Sequence, residues 1–507
     1  MDNVGDRHLQ ELDGLRQQQI SLSVSVELPV EVAASPSSQH TLWATINMLA
    51  RLDQVVSAVY LDCPTDIPIA GKISPLLPVG IPLDAAVEAA TSKIDTVPVA
   101  LSDQRGDVRL VVGPGPAVPG ALRVSGDGWC GGMSLGGRLP AGPASSLPFG
   151  PNMAAALAVG EVFRAALLDL DLYPAVDFAW YSMWSHEISK TPIFDGPPAV
   201  DGVAVNEMLI GVGAVGTICS VCLWAAEGVS GVVHLVDHDV VDTTNLNRYL
   251  LFDKRHIGLA KASTAASLLA NGPIHFEFHD CRLEAIAPSP APVLCAVDKN
   301  TAKATAQSRW PVSLIMATTN ELRAEVVRCD PRLGGPCARC HNPPEVDGES
   351  DEDLQAMFSR MSVEEQSGMA RSLGVPLEEA RRWAELGECG SSGDRVRDAL
   401  RTGGSPIRTF AVGFVSCAAG TMLAAEAVKE AMGAAVPLSA SLQRTSVQFF
   451  TPQQSPGAMP YLRDDSCPMC QPGQPAASEW RRRMADWPDR RWASGEDAVS
   501  PADIRLQ

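Results

Sequence analysis

Positive charge is scarce in this chain. Forty lysines and arginines face fifty-nine aspartates and glutamates, for a formal net charge of −19 at pH 7. Nucleic acids are bound by neutralising their phosphates with cations, so such a surface is not expected to have nucleic acid as its main partner. Long apolar runs are missing too: no stretch approaches the ~18 uninterrupted apolar residues of a membrane span. The Met1 end has no basic segment followed by an apolar one, so no secretory signal is expected. Cysteines number thirteen, an odd count in a long chain without an export signal. Reduced thiols in a cytoplasm, some of them holding metal, fit this better than a disulfide framework. At 507 residues the chain exceeds a single core, and two or three domains are expected.

The most informative stretch runs from Met208 to Lys261. Met208-Leu209-Ile210 is an apolar run suited to a buried strand, and Gly211-Val212-Gly213-Ala214-Val215-Gly216 follows with the G-x-G-x-x-G spacing. A helical run from Thr217 to about Ala226, an apolar strand Val232 to Val236 and then Asp237 complete the unit. Glycines let the backbone approach a phosphate at a helix N-terminus, and an acid at this distance suits a ribose. Up to here dinucleotide and ATP fit equally. Asp237-His238-Asp239-Val240-Val241-Asp242-Thr243-Thr244-Asn245-Leu246-Asn247-Arg248-Tyr249, with Lys261 beyond it, separates them. Asn, Arg and Lys packed after the ribose acid suit a triphosphate, whose charge must be neutralised around the reacting phosphorus.

This stretch resembles the ThiF/MoeB-like adenylyltransferases, whose eukaryotic relatives are the ubiquitin-activating enzymes. Their motif is D-x-D-x-V-x-x-S-N-L-x-R-Q followed by a lysine. Thr244 stands for the Ser and Tyr249 for the Gln, while Asn245 and Arg248 match. The resemblance covers about Asn206 to Cys470. It implies ATP held by Gly211, Gly213, Gly216, Asp237, Asp239, Asn245, Arg248 and Lys261. It also implies magnesium on Asp298, at the end of a strand Val293 to Asp298. The implied partner is a small ubiquitin-like protein with a C-terminal glycine, together with a conjugating enzyme and, in some family members, a second copy of the chain. Activators of this kind serve prokaryotic antiviral conjugation. The family takes an arginine from a neighbouring copy's N-terminal helix, for which Arg7 and Arg16 are available but match no motif.

The expected architecture is α/β: a Rossmann-like adenylation domain preceded by a degenerate copy of the same unit, with a helical insertion and a zinc clamp. Residues 1–195 form the degenerate copy. Thr41 to Leu52 reads as a helix and Val56 to Asp62 as a strand ending in an acid, an echo of Thr217 to Asp237. Ala34-Ser35-Pro36-Ser37-Ser38-Gln39 stands where the glycine turn would be, and the Asn/Arg/Lys set is missing. Small-residue helices from Pro148 and from Phe410 form a second echo. Residues 196–344 and 408–470 form the active copy, 345–407 a cysteine-bearing insertion of helices with weak cores, and 471–507 a basic, Trp-containing tail.

Cys337, Cys340, Cys467 and Cys470 form two C-x-x-C pairs, whose four thiolates suit a closed tetrahedral zinc site. His341 is read as a bystander. In the insertion, Cys389 sits in the small polar turn Glu388-Cys389-Gly390-Ser391-Ser392-Gly393. A nucleophilic thiol needs exposure and a lowered pKa, which Arg395 and Arg397 would favour and Glu388 oppose. Ubiquitin-activating relatives carry their thioester cysteine in such an insertion, so the resemblance points to Cys389. Cys417 and Cys295 read as buried, and Cys281 and Cys329 as weaker nucleophile candidates. Two other readings stay open. One is adenylation of a sulfur carrier or a peptide antibiotic without thioester transfer. The other is a dinucleotide oxidoreductase, which leaves Arg248, Lys261 and the paired cysteines unused.

Overall fold

The computed structural model describes residues 21–78, 80–94, 96–166, 176–287, 291–320, 322–329, 336–342, 351–386, 391–401, 412–433 and 443–470. Two sheets organise them. The first contains β1 (Leu22–Glu27), β2 (Val56–Asp62), β3 (Val99–Leu101), β4 (Val108–Val112), β5 (Leu122–Asp127), β6 (Cys130–Leu135), β7 (Phe178–Ser182) and β8 (Ile188–Ser189). The second contains β9 (Val203–Ile210), β10 (Val229–Val236), β11 (Ile274–His279), β12 (Val293–Cys295), β13 (Leu314–Asn320), β14 (Arg323–Cys329) and β15 (Arg444–Gln448).

Their orders are β3-β2-β1-β4-β5-β6-β7-β8 and β11-β10-β9-β12-β13-β14-β15. Counted within each sheet, both run third, second, first, fourth, fifth, sixth, seventh. In each, the first five strands are parallel and the later ones antiparallel. The two halves are thus copies of one unit, as the echoes suggested.

The glycine turn is where the copies diverge. In the first copy, β1 leads into the helix Pro36–Leu49, capped by the Ser35 hydroxyl and started by Pro36. This helix is buried along nearly its whole length, and the Ser35 hydroxyl accepts from the Ser38 N–H at its start. The Asp62 carboxyl is pushed up first by burial and then by the neighbouring charges of Glu27 and Asp103, with Arg109 opposing.

The halves meet through equivalent elements. Helix Phe149–Ala165 of the first packs against helix Gly413–Ala431 of the second. A small residue permits the approach: a Cβ on Gly160 would stand 2.8 Å from the Phe449 ring and 3.4 Å from the Phe414 ring. Buried polar contacts fasten the same seam. His186 Nε2 lies 2.7 Å from Glu426 Oε1, and Lys429 Nζ donates to the carbonyls of Met183 at 2.8 Å and Trp184 at 3.1 Å. One main apolar core runs through both halves. Such pairing of like surfaces is the geometry of a twofold dimer, here within one chain.

The insertion is better packed than expected. Helices Asp351–Arg360, Val363–Ser372, Leu377–Leu386 and Ser391–Arg401 close on Leu354, Phe358, Ala380, Trp383, Val396 and Leu400. Apolar positions spread over four short helices look sparse in sequence but converge on one Trp–Phe centre. A capping box forms at Ser362: its hydroxyl accepts from Glu365 N–H at 3.2 Å, and the Glu365 carboxylate accepts from Ser362 N–H at 2.7 Å. Among the described residues, no helix is long and apolar enough to cross a membrane.

Candidate active site

The second copy brings the predicted residues to the carboxyl ends of β9, β10 and β12. Gly211 turns the chain out of β9 with φ +89°, a left-handed conformation that favours glycine. Gly216 lies so close beneath the turn that a Cβ would stand 1.9 Å from the Gly211 carbonyl oxygen. Gly213 caps the helix Ala214–Ala225 and faces the Tyr249 hydroxyl. Backbone N–H groups at this helix start are the donors a phosphate would use.

Asp237 does more than await a ribose. Its Oδ2 accepts from Val212 N–H at 2.7 Å and its Oδ1 from Asp239 N–H at 2.9 Å, so it staples the glycine turn to the following loop. Burial pushes its carboxyl up, while Lys261 pulls it down. Lys261 Nζ donates to Asp239 Oδ2 at 3.0 Å. Burial disfavours the Lys261 charge, but Tyr249, Asp237 and Asp239 outweigh it and hold the ammonium above the usual lysine range.

Asn245 and Thr244 build the loop. Asp242 Oδ1 accepts from Thr244 N–H at 2.8 Å and from its hydroxyl at 2.7 Å, while Asn245 Oδ1 accepts from Asp242 N–H at 3.0 Å. Threonine therefore keeps the hydroxyl function of the serine it replaces. Arg248 Nη1 donates to the Thr244 carbonyl and to Asn247 Oδ1, each at 2.8 Å. Burial draws the Arg248 guanidinium below its usual range, with Tyr249, Asp298 and Asp242 opposing. Tyr249 sits between the cations: its ring centre lies 5.4 Å from Arg248 Cζ and 5.5 Å from Lys261 Nζ. This residue, noticed in sequence only as a departure, is the hub that gathers both charges by their attraction to its π face.

β12 ends at Cys295, so Asp298 lies in the loop beyond the strand rather than at its last residue. Three residues suffice because Ala296 N–H still bonds the Ile210 carbonyl at 2.8 Å, prolonging the alignment with β9. Asp298 is exposed, with Oδ1 accepting from Lys299 N–H at 2.8 Å. An open carboxylate at the mouth of the turn fits a hydrated magnesium ion, which uses few protein ligands. The cap of the next helix is Lys299, so Asp298 is not merely a helix cap.

The four paired cysteines converge. Cys337 Sγ lies 3.8 Å from Cys340 Sγ and 3.7 Å from Cys467 Sγ, and Cys340 Sγ lies 3.6 Å from Cys470 Sγ. A tetrahedron with bonds of about 2.3 Å has sulfur edges of about 3.8 Å, so this donor set fits zinc. His341 is outside that group and packs on Tyr461 with ring centres 4.2 Å apart.

Cys389 lies outside the described residues, as do Arg7 and Arg16. Arg397 is buried and reaches Asp351 at 3.8 Å, so its charge is already engaged within the insertion. Cys417 and Cys295 are buried as expected, and burial pushes the Cys295 thiol up to about 11. Cys329 is buried and Cys281 half-buried.

Sequence reading missed Arg51. This side chain from the first copy is buried and donates to Asn47 Oδ1, the Leu246 carbonyl and the Phe252 carbonyl, each at 2.8 Å. Asn47 Nδ2 adds a bond to the Leu250 carbonyl at 2.8 Å. The first copy therefore grips the loop that carries Arg248 and Tyr249. A lone arginine in the apolar run Leu49-Ala50-Arg51-Leu52 was the available signal.

Comparison with known proteins agrees with this layout. Residues 23–171 match the BilD N-terminal domain. A Sinorhizobium fredii protein, y4jF, is 26% identical over 505 aligned positions, covering 91% of this chain and 90% of the relative. The adenylyltransferase and sulfurtransferase uba4 of Aspergillus niger is 29% identical over 154 positions, covering 27% of this chain and 31% of that one. The crystal structure of E. coli MccB with MccA-N7isoASN aligns at 17% identity and a TM-score of 0.36, covering 52% of this chain and 66% of that chain. Residues 204–468, just over half of the chain and the whole of the second sheet with its glycine turn, match the ThiF family, and the chain belongs to that family of adenylyltransferases.

Proposed function

We propose that the second copy adenylates the C-terminal carboxylate of a small ubiquitin-like protein. The observation that carries this reading is the convergence of Arg248, Tyr249 and Lys261 on the mouth of the glycine turn, beside the open carboxylate of Asp298. A carboxylate oxygen attacks the α-phosphorus of ATP. The new C–O–P anhydride forms as the bond from that phosphorus to the bridging oxygen breaks, and pyrophosphate leaves. Arg248 and Lys261 offset the charge that develops on the phosphates, and their fixed positions keep reorganisation small. Asp298 would hold magnesium, which supplies further neutralisation of the leaving pyrophosphate when bound. Asp237 positions the turn and offers remaining lone pairs to the ribose. Cys389 then displaces AMP: its thiolate sulfur bonds the acyl carbon as the acyl C–O bond breaks.

The test is ATP–pyrophosphate exchange supported by a ubiquitin-like protein ending in glycine. Asp298→Ala and Arg248→Ala abolish it, while Asp62→Ala in the first copy leaves it largely intact. Exchange that survives Asp298→Ala, or a preference for NAD over ATP, overturns the assignment.

A second reading is favoured by the likeness to an adenylyltransferase and sulfurtransferase: the adenylate of a sulfur carrier passes to another acceptor. A non-reducing gel separates the two. The ubiquitin-like reading requires a reductant-sensitive adduct that Cys389→Ala loses while exchange persists. Robust exchange without any adduct selects the sulfur-carrier reading.

A further inference from the structure

We propose a second metal site, on the outer edge of the second sheet, formed by His234, Glu277 and His279 for a divalent transition ion such as zinc. β10 and β11 run parallel there, with His234 opposite Glu277 and Val236 opposite His279. Residues two apart on a strand share a face, so the register places the three side chains together. On the opposite face Val233, Leu235, Ile274 and Phe276 are buried in the main core. His234 is 15% exposed and Glu277 42%, so the group is anchored by the sheet yet open to ions from solvent.

The geometry argues for a shared ion rather than a simple hydrogen bond. His234 Nδ1 lies 3.3 Å from His279 Nε2 and 3.2 Å from Glu277 Oε2. One ring nitrogen has one lone pair or one proton in its plane, and cannot serve both partners well. A point in front of all three atoms can. With metal–nitrogen bonds of about 2.0–2.1 Å, tetrahedral donor edges are about 3.3 Å, which both separations match. All three donor atoms lie within 4.8 Å of one another. Two imidazoles and a carboxylate suit zinc, cobalt or nickel, and a set this poor in oxygen is ill-suited to magnesium or calcium. Burial holds the His234 ring below its usual pKa, the neutral form that ligates, with Glu277 opposing and His279 and His275 assisting.

Such a site has a consequence for the nucleotide. The His279 carbonyl accepts from Asp237 N–H at 3.2 Å. An ion clipped across β10 and β11 would thus brace the strand end that carries the turn-stapling aspartate. Three protein donors also leave a fourth position for water.

The test is zinc and cobalt titration of the full-length protein whose cysteine clamp is already loaded, read by isothermal calorimetry and by metal content after gel filtration. The wild type is expected to take up one equivalent beyond the clamp, and an excess of magnesium or calcium is expected not to displace it. Glu277→Gln, which keeps the shape, weakens that equivalent by about tenfold or more, since even outer-shell partners of metal ligands are worth that much. His234→Ala with His279→Ala removes it, while the clamp's cobalt–thiolate absorption stays unchanged. No extra equivalent in the wild type at micromolar zinc, or an extra equivalent retained in the double variant, overturns the proposal. The clamp absorption reports folding of each variant, so a misfolded double variant is recognised and Glu277→Gln then decides.

Discussion

Arg51 offers the sharpest test of how the two copies work together. Truncation to alanine removes three 2.8 Å donations from a side chain that is 1% exposed. The Leu246 and Phe252 carbonyls and Asn47 Oδ1 lose this donor, at about 1–3 kcal/mol for each buried acceptor left unsatisfied. Against that, the variant no longer buries a guanidinium, whose burial cost shows as a pKa drawn down to about 9. The net is expected to be a loss of about 2–3 kcal/mol, the upper end of what single substitutions cost when they leave buried polar groups unpaired. Arg51→Met keeps much of the volume and isolates the polar loss. Arg51→Lys keeps the charge but replaces a planar fork with a point donor. Denaturant midpoints measured by circular dichroism should fall for Arg51→Ala and Arg51→Met. ATP–pyrophosphate exchange, normalised to folded protein, should fall for all three, with kcat more affected than KM. A displacement of about 1 Å in the Arg248 loop can cost about a hundredfold in rate. Unchanged exchange per folded molecule in Arg51→Met would refute the claim that the inactive copy positions the active-site loop. An unchanged midpoint would refute the energetics as well.

Three further outcomes follow from the same structure. Cys467→Ala should release zinc from the four-cysteine clamp and lower thermal stability sharply, because structural zinc binding contributes folding energy; a metal-free variant as stable as the wild type would refute the clamp. Gly216→Ala should impair ATP binding by calorimetry, because the new methyl would stand 1.9 Å from the Gly211 carbonyl oxygen and must push the turn open. Glu207 is buried and its carboxyl is raised to about 8, first by burial and then by Glu430. Its folded-state pKa lies above the ordinary glutamate value of 4.5, so between those values the folded chain binds the extra proton and stability falls as pH rises. Glu207→Gln should remove a slope of about 1.4 kcal/mol per pH unit over that window and stabilise the protein above pH 8, as read from denaturation midpoints across pH.

Local chemistry was legible where a short segment is self-sufficient. The glycine turn needs Gly211 for its positive φ and Gly216 for its clearance, and these demands can be read without any partner. The capping box at Ser362 is equally local, as is the C-x-x-C spacing of each cysteine pair. The helix from Thr41 followed by a strand ending at Asp62 pointed to the first copy, even though a Ser35-capped helix stands where its glycine turn would be. β6 and β7 were not recognised because glycine and aromatic residues break the alternation there, and β8 because it is only two residues long; pairing with neighbouring strands defines all three.

What sequence alone determined is therefore the ThiF-type adenylyltransferase family of the second half and the repeated βαβ plan: residue types at fixed short spacings, whose geometry the backbone imposes by itself. Tertiary structure decided the rest. Tyr249 becomes the hub between two cations only when Lys261 folds back beside it, and Arg51 meets Leu246 and Phe252 only when helix Phe149–Ala165 docks on Gly413–Ala431. The physical reason is range. Turns, caps and metal-pair spacings are contacts within a few residues, whereas a buried guanidinium selects its acceptors across about two hundred residues of chain, through a packing of two copies that no local pattern encodes.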